Sequence, residues 1–406
     1  MAKKTEKTPL KKGVSQFNII GKAKIGDTTF NIDSESQSSD WISSKMNLGI
    51  DVGNGVVYTN LWGGYGATRD NVIYVHGVKK DEKGKLVSDY ENRFTIDWDD
   101  RFDDKILETI GDDCFIRVGI EKDNKGKTYV KKFLSAYDAV EYLSEHLTDG
   151  TIVNVAGNIN YKPFDEGVGV ERNVKSIYLS TKTEEKDFKA EFRQTILLDG
   201  DSIGKFDREK NTYPIDAYVI DYVGKVDDVE VKQNIVFPKT FYFDVLNLEA
   251  PEKTKMLLDK FFKPSKKNTI LELGVIGAFV TGGAISKVTY DDLDDDVKLM
   301  VDTGMLSEEE AFAKYTNGKK DNRMVIKQFI TKNDSDDAEK KHLVIMREDG
   351  KYTPDDFVFI SQFVDVDDDE VDDETEDDDS IDINELMGDS DSDDDADDFM
   401  KALGLA

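Results

Sequence analysis

Two stretches, EHLTDGTIVNVAGNINY (145–161) and KFFKPSKKNTILELGVIGAF (260–279), carry one arrangement twice. In each, an amphipathic helix ends in a polar link and leads into a strand of the type V-x-V-x-G or L-x-L-G. Outward from the first join, SAYDAVEYLSEHL (135–147) sets Ala139, Tyr142, Leu143 and Leu147 at helical spacing. Outward from the second, PEKTKMLLDKFF (251–262) opens with Pro at a first-turn position and sets Met256, Leu257, Phe261 and Phe262 on one side. Strand patterns precede each helix, at 17–25, 41–51 and 56–62, and again at 190–198, 213–223 and 240–247. Others follow at 173–180 and 323–330, and extra strands are expected at 72–76 and 114–121. Turn signals at Asp51-Val-Gly-Asn-Gly55, Asp81-Glu-Lys-Gly84, Asp123-Asn-Lys-Gly126 and Asn317-Gly318 punctuate them. Ser307 and Glu310 form a capping box that predicts a short helix over 307–315.

Three strands, a helix, then two strands is the order of the OB-fold, a five-stranded, partly open Greek-key barrel. The expected fold is mainly β, with two tandem OB-like barrels. The first spans 14–185 with an insert at about 66–134. The second spans 186–364 with a helical insert at about 286–322.

The chain has 406 residues and a net charge of −31, which at face value opposes a nucleic-acid ligand. The charge is unevenly placed. Residues 365–398 hold 21 acidic side chains and no basic one, so 365–406 carry −20 and the rest −11. Such a run repels itself and buries almost nothing, so a disordered tail is expected. Its end, ADDFMKALGLA, sets Phe399, Met400, Leu403 and Leu405 at the tip of a polyanion. That combination suits a docking peptide that folds on a basic, apolar pocket. Ile381, Ile383, Leu386 and Met387 form a weaker second anchor. Residues 1–13 read as a flexible basic arm, with five lysines and one glutamate in the first 12. No apolar run approaches membrane length, and the N-terminus lacks the apolar core of a signal peptide. A cytoplasmic location is expected.

Catalytic chemistry finds little support. Cys114 is the one cysteine, which excludes an intrachain disulfide, and it lies in an alternating strand, DDCFIRVGI. His76, His146 and His342 stand apart in sequence, so no zinc site is expected. Gly200-Asp-Ser-Ile-Gly204-Lys205 has the wrong spacing for a phosphate loop, and the Asp runs lack the calcium-loop order. The chain reads as a non-enzyme without a cofactor.

The second and third strands are more specific. In WISSKMNLGI (41–50), Ile42, Met46, Leu48 and Ile50 share the face fit for the barrel interior, and Trp41, Ser43, Lys45 and Asn47 share the other. In the next strand Val57, Thr59 and Leu61 face one way and Tyr58, Asn60 and Trp62 the other, with Tyr65 following. One surface thus presents Trp41, Lys45, Tyr58, Asn60 and Trp62. Exposed tryptophans on a sheet call for a cover, and stacked bases supply one. Tyr161, Lys162, Phe164, Arg172 and Lys175 of the following hairpin are placed to close over a strand and pair with phosphates. In the second unit Lys239, Tyr242, Lys263, Lys266 and Lys267 are candidates without a clear face.

WISSKMNLGIDVGNGVVYTNLWGG (41–64) and AVEYLSEHLTDGTIVNVAGNINYKPF (139–164) resemble the OB-fold single-stranded DNA-binding proteins of bacteria and their viruses. Gly150-Thr-Ile-Val153-Asn-Val155-Ala-Gly157 followed by Tyr161 matches a strand form of that family. The resemblance implies stacking roles for Trp41, Tyr58, Trp62 and Tyr161, and partner docking through Asp397, Asp398 and Phe399. The long insert, the second barrel and the Leu405-Ala406 ending depart from the bacterial pattern and point to a phage version. The expected function is then to coat single-stranded DNA in phage replication, recombination or repair, and to recruit partners through the tail. The competing reading is a structural or protein-interaction module of a virus, with the aromatics as interface anchors.

Overall fold

The computed structural model describes residues 7–164, 167–208, 210–226, 229–246, 248, 250–281, 290, 293, 295–303, 305–307, 322–333 and 343–363. Strand β1 (Ser15–Lys24) is buried along most of its length because it pairs on both edges. β2 (Phe30–Glu35) alternates half-buried and exposed, and forms a hairpin with β3 (Trp41–Asp51). A tight turn with Gly53 at φ +90° leads into β4 (Val56–Gly66). The insert follows as the hairpin β5 (Val72–Lys80) and β6 (Leu86–Asp97), the short helix α1 (Asp104–Leu107), and the hairpin β7 (Ile116–Lys122) and β8 (Thr128–Phe133). Helix α2 (Ala136–His146) starts where the Ser135 hydroxyl accepts the Tyr137 N–H, and it buries Ala139, Val140 and Leu143. β9 (Ile152–Phe164) and β10 (Gly167–Leu179) complete the unit.

Five of these strands close a ring. β1 pairs antiparallel with β3 and β9, β3 with β4, and β9 with β10. β4 and β10 close it in parallel at Asn60 and Asn173. This is the OB barrel expected from the strand–helix order, with α2 between the third and fourth barrel strands. The second unit repeats it. β11 (Lys189–Leu198), β12 (Thr212–Val226) and β13 (Val229–Asp244) precede α3 (Pro251–Phe261) and β14 (Ile270–Thr281). After α4 (Asp295–Asp302) comes β15 (Asn322–Phe329), which pairs antiparallel with β14 and parallel with β13. β16 (Thr331–Asn333) pairs with β17 (Leu343–Ile345), and β18 (Arg347–Tyr352) adds to β14.

The repeat reaches individual residues. Phe17 of β1 faces Gly157 of β9, and Phe192 of β11 faces Gly277 of β14. At each glycine the fifth barrel strand has one extra residue, Lys175 in β10 and Lys327 in β15. Such bulges bend a strand and help a small barrel close.

The barrels are joined where β1 pairs antiparallel with β11, from Ser15–Gln194 to Ile20–Lys189. One apolar core runs from Met46, Leu48 and Leu143 to Phe192, Phe241 and Leu273. Side chains of this size each contribute about 1.5–3 kcal/mol when fully buried. The boundary expected at 185 is therefore a connection between fused barrels.

Several expectations change. The arm expected over 1–13 is docked in its described part, 7–13. Leu10 is buried with Tyr352 and Phe357, Thr8 N–H donates to Asp356 Oδ1 at 2.7 Å, and Lys12 meets the buried Asp221 at 2.6 Å. The helix expected over 307–315 lies, beyond Ser307, outside the described residues, as does the whole tail expected over 365–406, with its second anchor and its tip. β2, β6 and β8 were not expected. Among the described residues no helix is long and apolar enough to cross a membrane.

Candidate nucleic-acid interface

Ser44, Met46, Leu48 and Ile50 of β3, and Val57, Thr59 and Leu61 of β4, point into barrel one, all buried. Their neighbours necessarily point out. The register sets Lys45 opposite Trp62, Asn47 opposite Asn60 and Gly49 opposite Tyr58. Trp41 and Trp62 come together with ring centroids 6.0 Å apart and planes tilted 37°. Trp41 lies over Gly64, where a Cβ would come within 2.8 Å of its Nε1 and press on the Ile42 carbonyl, so a glycine is required there. The Arg69 guanidinium sits 5.4 Å from the Trp41 ring centroid. Arg69 also lies 3.8 Å from Asp40, whose carboxyl is held below its usual range chiefly by the Thr68 hydroxyl and N–H. Tyr58 is 56% exposed and stands about 13 Å along the strand from Trp62. Trp41, Lys45, Tyr58, Asn60 and Trp62 thus share one face, with one more cation, Arg69, at its edge.

Tyr65 is not on that face. It pairs with Ile42 on the opposite parity and packs against Trp98 at 5.2 Å and Tyr137 at 5.4 Å. Arg101 covers Trp98 at 4.2 Å and binds Asp138 of α2 at 2.9 Å. Tyr65 is therefore an anchor of the insert, which corrects its expected ligand role. Tyr161 is corrected more firmly. It is 1% exposed, donates its hydroxyl to Gln194, stacks on Phe237 and donates its backbone N–H to Asp221. Burial pushes its phenol well above the usual range. No base can reach it; it rivets one barrel to the other.

The hairpin residues divide. Lys162 is held by Glu171 at 3.2 Å. Phe164 is 48% exposed and lies over Gly169. Lys175 is half-buried at the bulge. Arg172 bridges the two barrels. Its Nη1 donates to the Tyr58 carbonyl at 3.4 Å, and its guanidinium lies 4.3 Å from the Phe279 ring centroid of barrel two. Burial lowers its pKa to about 10.

Two features escaped the sequence reading. Arg69 follows a turn and carries no motif. His76, which stands alone in sequence, is buried with Nε2 3.0 Å from Asp113 Oδ2. Asp113 also accepts the Tyr90 hydroxyl at 2.8 Å and the Ser88 hydroxyl. Cys114 lies within 4.8 Å of the His76 and Asp113 ligand atoms, but Asp113 already has three donors, and the cluster reads as a satisfied network under the insert. A cleft of about 320 Å³ on barrel two is lined by Asp199, Asp201, Asp216 and Lys239, a carboxylate-rich wall with the wrong sign for a polyanion.

Two closed five-stranded rings with a helix between the third and fourth strands define a tandem OB-fold. A family model described as YorF matches residues 112–276. Among solved structures the chain is similar to the wild-type single-stranded DNA binding protein from Thermus aquaticus, at 11% identity and a TM-score of 0.27, over 67% of this chain and 87% of that one. A deletion mutant of the same protein gives 10% identity and a TM-score of 0.27, over 66% and 88%. No curated protein matches the chain. Likenesses this distant assign no role.

Proposed function

We propose that the chain coats single-stranded DNA in phage replication, recombination or repair, binding by base stacking and phosphate contacts without catalysis. The observation that carries this reading is the outward Trp41–Trp62 pair with Lys45 beside it and Tyr58 further along the strand. Stacked bases cover such rings at about 1–3 kcal/mol each, and any base has a suitable face. Lys45 and Arg69 supply local positive charge on an acidic body. The acidic tail, with Asp397, Asp398 and Phe399 ahead of Met400, Leu403 and Leu405, is proposed to dock replication or recombination proteins. Fluorescence titration with dT oligomers and duplex at two salt concentrations tests the reading. Quenching by dT alone, weakening as salt rises, supports it; equal binding of duplex sinks it.

A second reading, a protein-interaction module, draws on the insert. Tyr74, Leu86, Phe102 and Tyr129 are each more than half exposed there. Binding of dT that survives loss of both tryptophans would favour it.

A further inference from the structure

Half-buried and buried cations in this protein are mostly paired. Lys12 has Asp221 at 2.6 Å, Arg101 has Asp138 at 2.9 Å, and Lys351 has Glu272 at 3.0 Å. Arg172 and Lys239 at the seam between the barrels, like the buried Arg117 of β7, break that habit. Arg172 of β10 crosses the seam to lie on Phe279, with one N–H spent on the Tyr58 carbonyl and its Nε enclosed without a hydrogen-bond partner. Lys239 of β13 stands on the same side of its strand as the buried Phe237 and Phe241. β10 and β13 are in contact here, and the Lys239 pKa is lowered by burial and then by the like charge of Arg172. Among the described residues neither has a carboxylate within ion-pair distance. Thr281, two residues beyond Phe279 and against the Gly55 turn, adds a buried hydroxyl without a partner.

Enclosed charge is costly unless something of opposite sign answers it. Asp199, Asp201 and Asp216 line the cleft that Lys239 also borders, yet none of them makes an ion pair with Lys239 or with Arg172. Arg172 uses one of its five N–H donors on Tyr58, which leaves the fork free for an oxyanion. Tyr58 itself is the exposed ring at the near end of the stacking face. We infer that the seam is an anion seat in which Arg172, Lys239 and the Thr281 hydroxyl hold one backbone phosphate of a strand lying across the Trp41–Trp62 face. Barrel two then completes the site of barrel one by lending a cation. The identity of the anion rests on the strand-binding reading; the seat itself rests on the seam.

The test uses the full chain with Arg172→Gln, Lys239→Gln and, as an exposed control in the turn between β5 and β6, Lys83→Gln. In dT titrations the first two are expected to bind several-fold more weakly at low salt, each with a salt slope shallower by about 0.7, the value for one single-strand phosphate contact. Their tryptophan quench at saturation should match wild type, because the stacking face is untouched. Separately, inorganic phosphate should raise the Tm of wild type more than chloride does at equal ionic strength, and should lose that advantage in Lys239→Gln. Normal dT binding with no change in either arm overturns the seat and leaves strand binding standing. A Lys239-dependent phosphate effect without dT binding overturns the strand and leaves the seat. Neither dT binding nor a phosphate effect in wild type overturns both.

Discussion

The two barrels share a ring order, a glycine facing a phenylalanine and a lysine bulge, yet their outer faces have parted. Aligning Phe17 with Phe192 and following the ladders puts Thr212 where barrel one has Lys45, and Asp244 where it has Trp62. Asp216 takes the place of Gly49, Thr240 that of Tyr58 and Tyr242 that of Asn60. Asp244 is bound to Lys327, Asp216 accepts the Thr240 hydroxyl at 2.7 Å, and Arg323 lies over Tyr242. Inward positions behave the other way. Met46, Leu48 and Ile50 correspond to Tyr213, Ile215 and Ala217, all buried. A closed barrel constrains what faces in and leaves what faces out free. One copy became an aromatic platform, and the other an acidic surface with its own ion pair, Asp244 with Lys327.

The largest expected effect attacks that contrast directly. Trp41→Ala with Trp62→Ala removes two stacking rings, about 2–6 kcal/mol of binding at the usual value per base. On dT oligomers this is a loss of at least about 30-fold, by RT ln K. Tyr242→Ala, on the corresponding face of barrel two, should leave affinity at wild type. Equal losses would mean that both faces bind and that the contrast is only decorative.

Next comes the joint. Asp221 accepts Lys12 Nζ and the N–H groups of Tyr161 and Tyr222, so it ties both barrels and the N-terminal segment together. Asp221→Ala leaves buried donors without partners, and about 3–5 kcal/mol of stability should go. Wild type should unfold in urea as one transition, because the barrels share a core. The variant should show two, as the ladder between β1 and β11 no longer holds them together. A single, merely shifted transition in the variant would mean that the ladder and the shared core suffice without Asp221.

Much of this was legible in the sequence. The two joins at 145–161 and 260–279 were enough to place both barrels, because helix and strand periods differ and glycine marks the close approach of strands. Parity also carried more than was read from it. Tyr161 falls in step with Val153, Val155 and Ile159, all core residues, and Tyr65 falls out of step with Tyr58 and Trp62. Both therefore leave the outer face by alternation, which at these positions outweighs aromatic character. Other features were out of reach. The contact between Arg172 and Phe279 spans more than a hundred residues, and nothing local announces it. Nor does Leu10 announce that it packs on Tyr352 and Phe357. A lysine-rich terminus looks the same in sequence whether it is docked or free.

That docked segment gives the smallest effect. Burial pushes the Asp356 carboxyl up, but N–H donation from Thr353 and Thr8, with the Thr353 hydroxyl, outweighs it, and the net shift is below the ordinary 3.8. A depressed carboxyl contributes stability above its unfolded value and loses it as pH falls through the folded one. The contribution is therefore full at neutral pH and fades only on going below about 4. Hydrogen exchange at Thr8 should quicken in acid before exchange at the β1–β11 ladder does. Asp356→Asn should show the faster Thr8 exchange already at pH 7, with barrel one and its dT affinity unchanged. If Thr8 and the ladder instead exchange together at every pH, the segment is part of the common core rather than a strap laid over barrel two, and the two barrels are less separable than their faces suggest.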